Sequence, residues 1–157
     1  MGSTEAYNFK LIKVRIRLTS SEDIPAIVGI ENATNQIPWT KQQFISSMEV
    51  GHYSSVLVEK DEVLGFAIFS PIILKSHLLN IAIAPDHQGK GLGRQLLNQI
   101  INQNKILGVK TLTLEVRVSN HSAISLYESI GFMKDAIRPN YYSGNPKEDA
   151  LLMSLGL

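Results

Sequence analysis

The feature that most constrains this chain is a glycine-rich turn held between two apolar segments. Leu78 to Ala84 is an apolar run closed by Pro85, and Leu92, Leu96, Leu97, Ile100 and Ile101 recur at helical spacing as far as Gly108. Between them stands Pro85-Asp86-His87-Gln88-Gly89-Lys90-Gly91-Leu92-Gly93-Arg94. A strand must therefore hand over to a helix through alternating glycines. Glycine lets backbone N–H groups converge on one point with no Cβ in the way. The helix start adds unpaired donors and about half a positive charge. The combination predicts an anion cradle suited to a phosphate or pyrophosphate, with Lys90 and Arg94 adding side-chain charge. Two phosphate loops are excluded. The pattern G-x-x-x-x-G-K-[ST] fails because Ala84 stands at its first glycine and Gly91 follows Gly89-Lys90. The dinucleotide pattern G-x-G-x-x-G, begun at Gly89, fails at Arg94. The alternative is a flexible loop with incidental glycines.

The rest of the chain predicts one continuous domain. It has 157 residues, 44% of them hydrophobic, and a net charge of +1. That length and composition suit a single packed core. The longest charge-free stretch, Val63 to Leu74, is too short for a spanning helix, which needs about 20 apolar residues. Scattered Lys and Arg with near-neutral balance argue against direct nucleic-acid or membrane binding. With no Cys, disulfides and thiolate catalysis are excluded. His52, His77, His87 and His121 show no ligand spacing, so no metal is expected. Met1 to Lys10 lacks an export pattern, and Ala6 stands where myristoylation wants Ser or Thr. Residues 1–12 read either as a loose tail or as an early strand start at Phe9, and residues 13–157 as the domain.

Periodicity supplies the other elements. Val14, Ile16 and Leu18 alternate with Arg15 and Arg17 as in a half-buried strand. Thr19-Ser20-Ser21 offers caps for a helix with Ile24, Ile27, Val28 and Ile30 on one face. Thr40 and Gln43 form a capping box before Phe44, Ile45 and Met48. Ser55–Glu59, Val63–Leu74, Leu78–Ala84 and Thr111–Val118 read as strands, Ala123–Ile130 as a helix closed by Gly131. Two last strands are expected near 133–137 and 150–155. The sum is an α/β or α+β sandwich with a mixed sheet.

On strand 111–118, Leu112, Leu114, Val116 and Val118 share one face while Glu115 and Arg117 share the other. Taken alone, Glu115 is equally a solvated residue paired with Arg117, Asn120 an N-cap, and Tyr127 a core aromatic.

Gln88-Gly89-Lys90-Gly91-Leu92-Gly93, in its strand–loop–helix setting, resembles the Q/R-x-x-G-x-G/A motif of the GNAT family of N-acetyltransferases. The runs Leu114–Phe132, Arg138-Pro139-Asn140-Tyr141-Tyr142, Glu148-Asp149-Ala150 and Ile37-Pro38-Trp39 resemble its ribosomal-protein alanine N-acetyltransferase branch, over about residues 13 to 155. The resemblance implies a mostly antiparallel central sheet with helices on both faces. It implies acetyl-coenzyme A, its pyrophosphate over Gly89, Lys90, Gly91, Leu92, Gly93 and Arg94 and its pantetheine arm along Ile81, Ala82 and Ile83. It further implies Glu115 as general base, Tyr127 as general acid and Asn120 as a cofactor contact. Tyr141 and Tyr142, in a loop before the last strand, would cover the acceptor, and Trp39 would line that cleft or anchor its loop. The implied acceptor is the N-terminal alanine of a small-subunit ribosomal protein, acetylated by direct transfer in the cytoplasm by a monomer or weak dimer. Another protein N-terminus, a small amine, or a non-catalytic acyl-coenzyme-A sensor are the alternatives. His87 and Gly89 depart from the aromatic and basic residues frequent in the family.

Overall fold

The computed structural model describes residues 13–157. The reading of residues 1–12 lies outside them. Seven strands form one sheet in the order β1-β2-β3-β4-β5-β7-β6. They are β1 (Val14–Leu18), β2 (Tyr53–Glu59), β3 (Glu62–Ile72), β4 (Lys75–Ile83), β5 (Thr111–Arg117), β6 (Met133–Tyr142) and β7 (Glu148–Gly156). Every neighbouring pair is antiparallel except β4 and β5. The helices are α1 (Ile24–Thr34), α2 (Lys41–Glu49), α3 (Leu92–Ile106) and α4 (His121–Ile130). No described helix is long and apolar enough to cross a membrane.

Strand alternation sends two sets of side chains to two faces. On one face Leu57, Leu64, Phe69, Leu112, Leu114 and Val116 pack with the α3 stripe of Leu92, Leu96, Leu97 and Ile100, and with Tyr127 of α4. On the other, Val56, Val58, Phe66 and Ile68 meet Ile24, Ile27 and Ile30 of α1 and Phe44 of α2. Helices thus flank both faces, as the resemblance implied. The first helix begins as a 3-10 turn, Ser21–Asp23. Arg17 grips Asp23 through two hydrogen bonds of 2.7 and 2.8 Å and holds its carboxyl below the usual range. The Thr40–Gln43 capping box forms as expected, with reciprocal bonds of 2.7 and 3.2 Å.

Some boundaries differ. The apolar run Val63–Leu74 contains a turn at residues 73–74, and the next strand starts at Lys75. Apolar side chains there are exposed, Ile73 by 86%, so hydrophobicity hid the turn. The last two strands are longer than expected, because β6 is an exposed edge strand with no apolar alternation to mark its end.

The feature that positions the site is a fork. β4 and β5 pair only from Lys75↔Thr111 to Leu78↔Leu114, and then diverge. A bulge in β4 at Leu79, where the partners of Phe69 and Ile68 jump from Leu78 to Asn80, coincides with the divergence.

Candidate active site

One prong of the fork leads to the glycine loop. After β4, residues 85–87 make a single 3-10 turn, and Gln88 Nε2 donates to the Ile83 carbonyl at 3.0 Å. Gly89 and Gly91 take φ of 75° and 78°, the left-handed region that favours glycine. A Cβ on either would meet no protein atom within 4 Å, so both face open space rather than packing. Gly93 serves packing instead, lying where a Cβ would sit 3.5 Å from Leu126 of α4. None of the backbone N–H groups of residues 89–94 donates to a carbonyl of the described residues; the first to do so is Gln95, to Gly91 O at 3.1 Å. Six consecutive donors at the positive end of α3 fit a pyrophosphate. Lys90 is exposed beside them. The Arg94 guanidinium, expected to add charge, instead donates to Ser129 Oγ at 2.7 Å and ties α3 to α4. Only its backbone N–H joins the cradle.

The prong itself carries free backbone. Ala84 N–H donates to Leu64 O, which fixes the alternation of β4. By that parity Ala82 and Asn80 turn their backbone groups to β3, while Ile81 and Ile83 turn theirs into the fork. Ile83 O is taken by Gln88, which leaves the Ile81 N–H and carbonyl and the Ile83 N–H facing the gap. Of the three residues expected along the pantetheine arm, Ala82 has its backbone committed to β3.

The other prong carries the ionisable groups. Glu115 is the first β5 residue beyond the paired stretch. Its side chain is 19% exposed and its Oε2 accepts from His77 Nε2 at 2.8 Å and from Tyr141 OH at 3.4 Å. Arg138 Nη1 stands 3.9 Å from Oε1. Arg117, the expected partner of Glu115, pairs with Glu148 at 3.2 Å and lies 4.3 Å over the Tyr142 ring. Glu148 also accepts the Ser119 N–H at 3.0 Å, and Ser119, with Arg117, holds its carboxyl below the usual range.

Tyr127 approaches from the opposite face of β5. It packs in the same core as Leu114 and Val116, between which Glu115 points the other way. Burial, helped by Tyr142, raises its phenol well above the ordinary value. Base and acid candidates thus flank β5 from two sides. Asn120 caps α4, its Oδ1 accepting from Ala123 N–H at 3.2 Å.

Tyr141 and Tyr142 stand at the end of β6 rather than in a loop, with ring centroids 5.0 Å apart at 89°. Beside them a cavity of about 410 Å³ is lined by Gln36, Ile37, Arg117 and residues 143–148. Trp39 does not reach it. Its ring packs 5.2 Å from Phe44, its backbone N–H donates to the buried Glu31 carboxylate at 3.3 Å, and it lines a separate groove along α2. Trp39 anchors its loop. The sequence assigned no site role to His77, weighed only as a metal ligand, to Arg138 and Glu148, which stood only within the runs that carry the resemblance, or to Thr113. The signal for His77 was its register opposite Thr113, visible only once β4 and β5 are paired.

The acetyltransferase (GNAT) family model matches residues 23–132. The chain belongs to the GNAT family. Among its relatives is the [ribosomal protein bS18]-alanine N-acetyltransferase of Salmonella typhimurium, 40% identical over 141 residues, or 89% of this chain and 95% of that one. The Escherichia coli enzyme of the same name is 41% identical over 134 residues, covering 85% and 90%. The crystal structure of an Escherichia coli ribosomal-protein alanine N-acetyltransferase superposes with a TM-score of 0.86 at 39% identity, over 92% of this chain and 94% of that one. This GNAT protein is an acetyl-coenzyme-A-dependent N-acetyltransferase, and the free donors of residues 89–94 fit that donor's pyrophosphate.

Proposed function

We propose that the chain acetylates the N-terminal alanine of a small-subunit ribosomal protein in the cytoplasm, with Glu115 as general base and Tyr127 as the hydrogen-bond donor to the leaving sulfur. The observation that supports the chemistry is the fork, with Glu115 on the first β5 residue beyond the β4 pairing, the Ile81 N–H facing the gap, and Tyr127 packed on the other face of β5. The acceptor follows from relatives named for bS18 alanine at about 40% identity over most of both chains.

An α-amino group has a pKa near 8, so only about a tenth is neutral at pH 7. Glu115 removes the surplus proton, directly or through one water. Bound acetyl-coenzyme A supplies an activated acyl group as a thioester. The Ile81 N–H faces the gap and is aimed to stabilise negative charge developing on a carbonyl oxygen there. Tyr127 keeps its proton, since a phenol's ordinary value of about 10 already exceeds a thiol's of about 8.5 and burial raises it further. Complete transfer from it to a thiolate is uphill. Its role is to donate a hydrogen bond to sulfur while solvent supplies the final proton. The cavity beside Arg117, Glu148 and residues 143–147 receives the acceptor chain behind its amine.

The deciding experiment is mass spectrometry of ribosomal-protein N-termini from cells with and without this protein. Loss of one acetyl group from an N-terminal alanine is expected. Full acetylation in its absence, with polyamines or aminoglycosides acetylated faster than alanine peptides in vitro, would replace this acceptor by a small amine.

A further inference from the structure

His77 belongs to no element of the reaction described so far, yet both its ring nitrogens are engaged. Nδ1 lies 2.7 Å from Thr113 Oγ1, and Nε2 lies 2.8 Å from Glu115 Oε2. His77 and Thr113 are register partners in β4 and β5, one step before the strands part. The imidazole therefore reaches across the base of the fork to the first β5 residue not paired with β4.

The hydrogen-bond distances favour one arrangement. An ionised carboxylate only accepts, so Nε2 carries the hydrogen. In the neutral ring Nδ1 is then an acceptor, and it takes the Thr113 hydroxyl proton. The other acceptor within reach of that hydroxyl, Ser76 O, is farther at 3.3 Å. Thr113 thus selects the tautomer that donates to Glu115. The two carboxylate oxygens become unequal. Oε2 is held by His77 and Tyr141, whereas among the described residues Oε1 has only Arg138 at 3.9 Å, from a side chain that is 52% exposed.

The geometry points to His77 as a positioning residue for Glu115: set by Thr113, it occupies Oε2, fixes the carboxylate rotamer, and leaves Oε1 as the oxygen that takes the acceptor's proton. That proton leaves the amine nitrogen, bonds to Oε1, and passes on to solvent as the carboxylate is regenerated. The inference rests on Glu115 being the base.

The test compares His77→Leu, His77→Gln, Thr113→Val and Glu115→Gln in the full chain. Each is assayed with acetyl-coenzyme A and whichever acceptor profiling finds fastest. Misplacement of a reacting group by about 1 Å can cost about 100-fold. His77→Leu should therefore lower kcat about 10- to 100-fold, with KM for acetyl-coenzyme A unchanged and calorimetric affinity intact. His77→Gln, whose amide places a donor near the Nε2 position, should recover most of the rate, which a merely structural role would not predict. Nitrogen-15 NMR of the wild-type ring should report the Nε2–H tautomer, and Thr113→Val should erode that preference. The proposal is overturned if His77→Leu turns over within about twofold of wild type while Glu115→Gln is slow. It is also overturned if the ring carries its hydrogen on Nδ1, a result that needs no variant to fold. Full activity in Glu115→Gln would remove the base assignment, and this inference with it.

Discussion

The two prongs of the fork are built from different materials. The cradle at residues 89–94 is backbone: six N–H groups that meet no carbonyl of the described residues, two left-handed glycines and, among the described residues, no ion pair, while the Arg94–Ser129 hydrogen bond leads away from it. The acceptor prong is side chain. Glu115, His77, Tyr141, Arg138, Arg117 and Glu148 come from four strands and hold one another by hydrogen bonds and ion pairs. A backbone site grips a diphosphate and does not titrate. A side-chain site must titrate, because its work is to move a proton. The two should therefore fail separately.

The largest effect is expected at the acceptor prong. Glu115→Gln keeps the shape and removes the basic oxygen, so kcat should fall about 10²- to 10⁴-fold, the usual contribution of a positioned base. Acetyl-coenzyme A affinity, read by calorimetry, should stay within about twofold. A matching loss of affinity would mean that the prongs are one site. Next in size is Gly91→Val on the cradle. A side chain at φ 78° costs about 1–2 kcal/mol, and it occupies space that the protein leaves open. With weakened N–H contacts the total is about 2–3 kcal/mol, or about 100-fold in acetyl-coenzyme A affinity. At saturating donor its kcat should recover, and persistent slowness would show that the loop also aligns the reaction.

The same difference explains what the sequence revealed. The cradle was legible because its strand, glycines and helix are contiguous, and because Gly89 and Gly91 are informative by lacking a side chain. Most of the sheet was legible too, since alternation in Thr111–Arg117 survives as a buried face, whereas in β1 Val14 and Ile16 are only half-buried and Leu18, expected on the same face, is 67% exposed. The His77–Glu115 contact was not, because it joins residues 38 positions apart and depends on the register of β4 with β5. Local spacing favoured Arg117 as the partner of Glu115, on the same strand face. Arg117 instead meets Glu148 of β7, which sits on the neighbouring strand of the sheet. Trp39 misled for another reason: an aromatic after a proline looks the same in sequence whether it lines a cleft or packs on Phe44.

Tyr127 packs on the face of β5 opposite Glu115, and its removal sharpens the comparison. Tyr127→Phe deletes only a hydrogen-bond donor, worth about 1.4 kcal/mol, so kcat should fall about 10-fold. Since burial raises the phenol, its proton stays on through mildly alkaline conditions. The wild-type rate should show no alkaline decline assignable to Tyr127 below about pH 10, the ordinary tyrosine value. A decline near neutral pH that vanishes in the variant would contradict a buried neutral donor.

The smallest effect distinguishes the prongs by stability alone. Burial, helped by Tyr141 and Glu115, pushes the Tyr142 phenol up to about 12. An unfolded tyrosine ionises near 10. The folded state therefore holds its proton where the unfolded state has released it, and stability is full below pH 10 and drains as pH rises towards 12. Tyr142 is partly exposed, so solvent screening limits the loss at pH 11 to about 1 kcal/mol, or about 2–4 °C in Tm. Tyr142→Phe keeps the ring under Arg117 and removes the titrating hydroxyl. Its Tm should fall less than wild type between pH 9 and 11, by that margin. Gly91→Val, which alters no ionisable group, should lose Tm in parallel with wild type across the same range. Were the cradle variant to change the slope and the tyrosine variant not, charge on the acceptor prong would not be what alkaline conditions disturb.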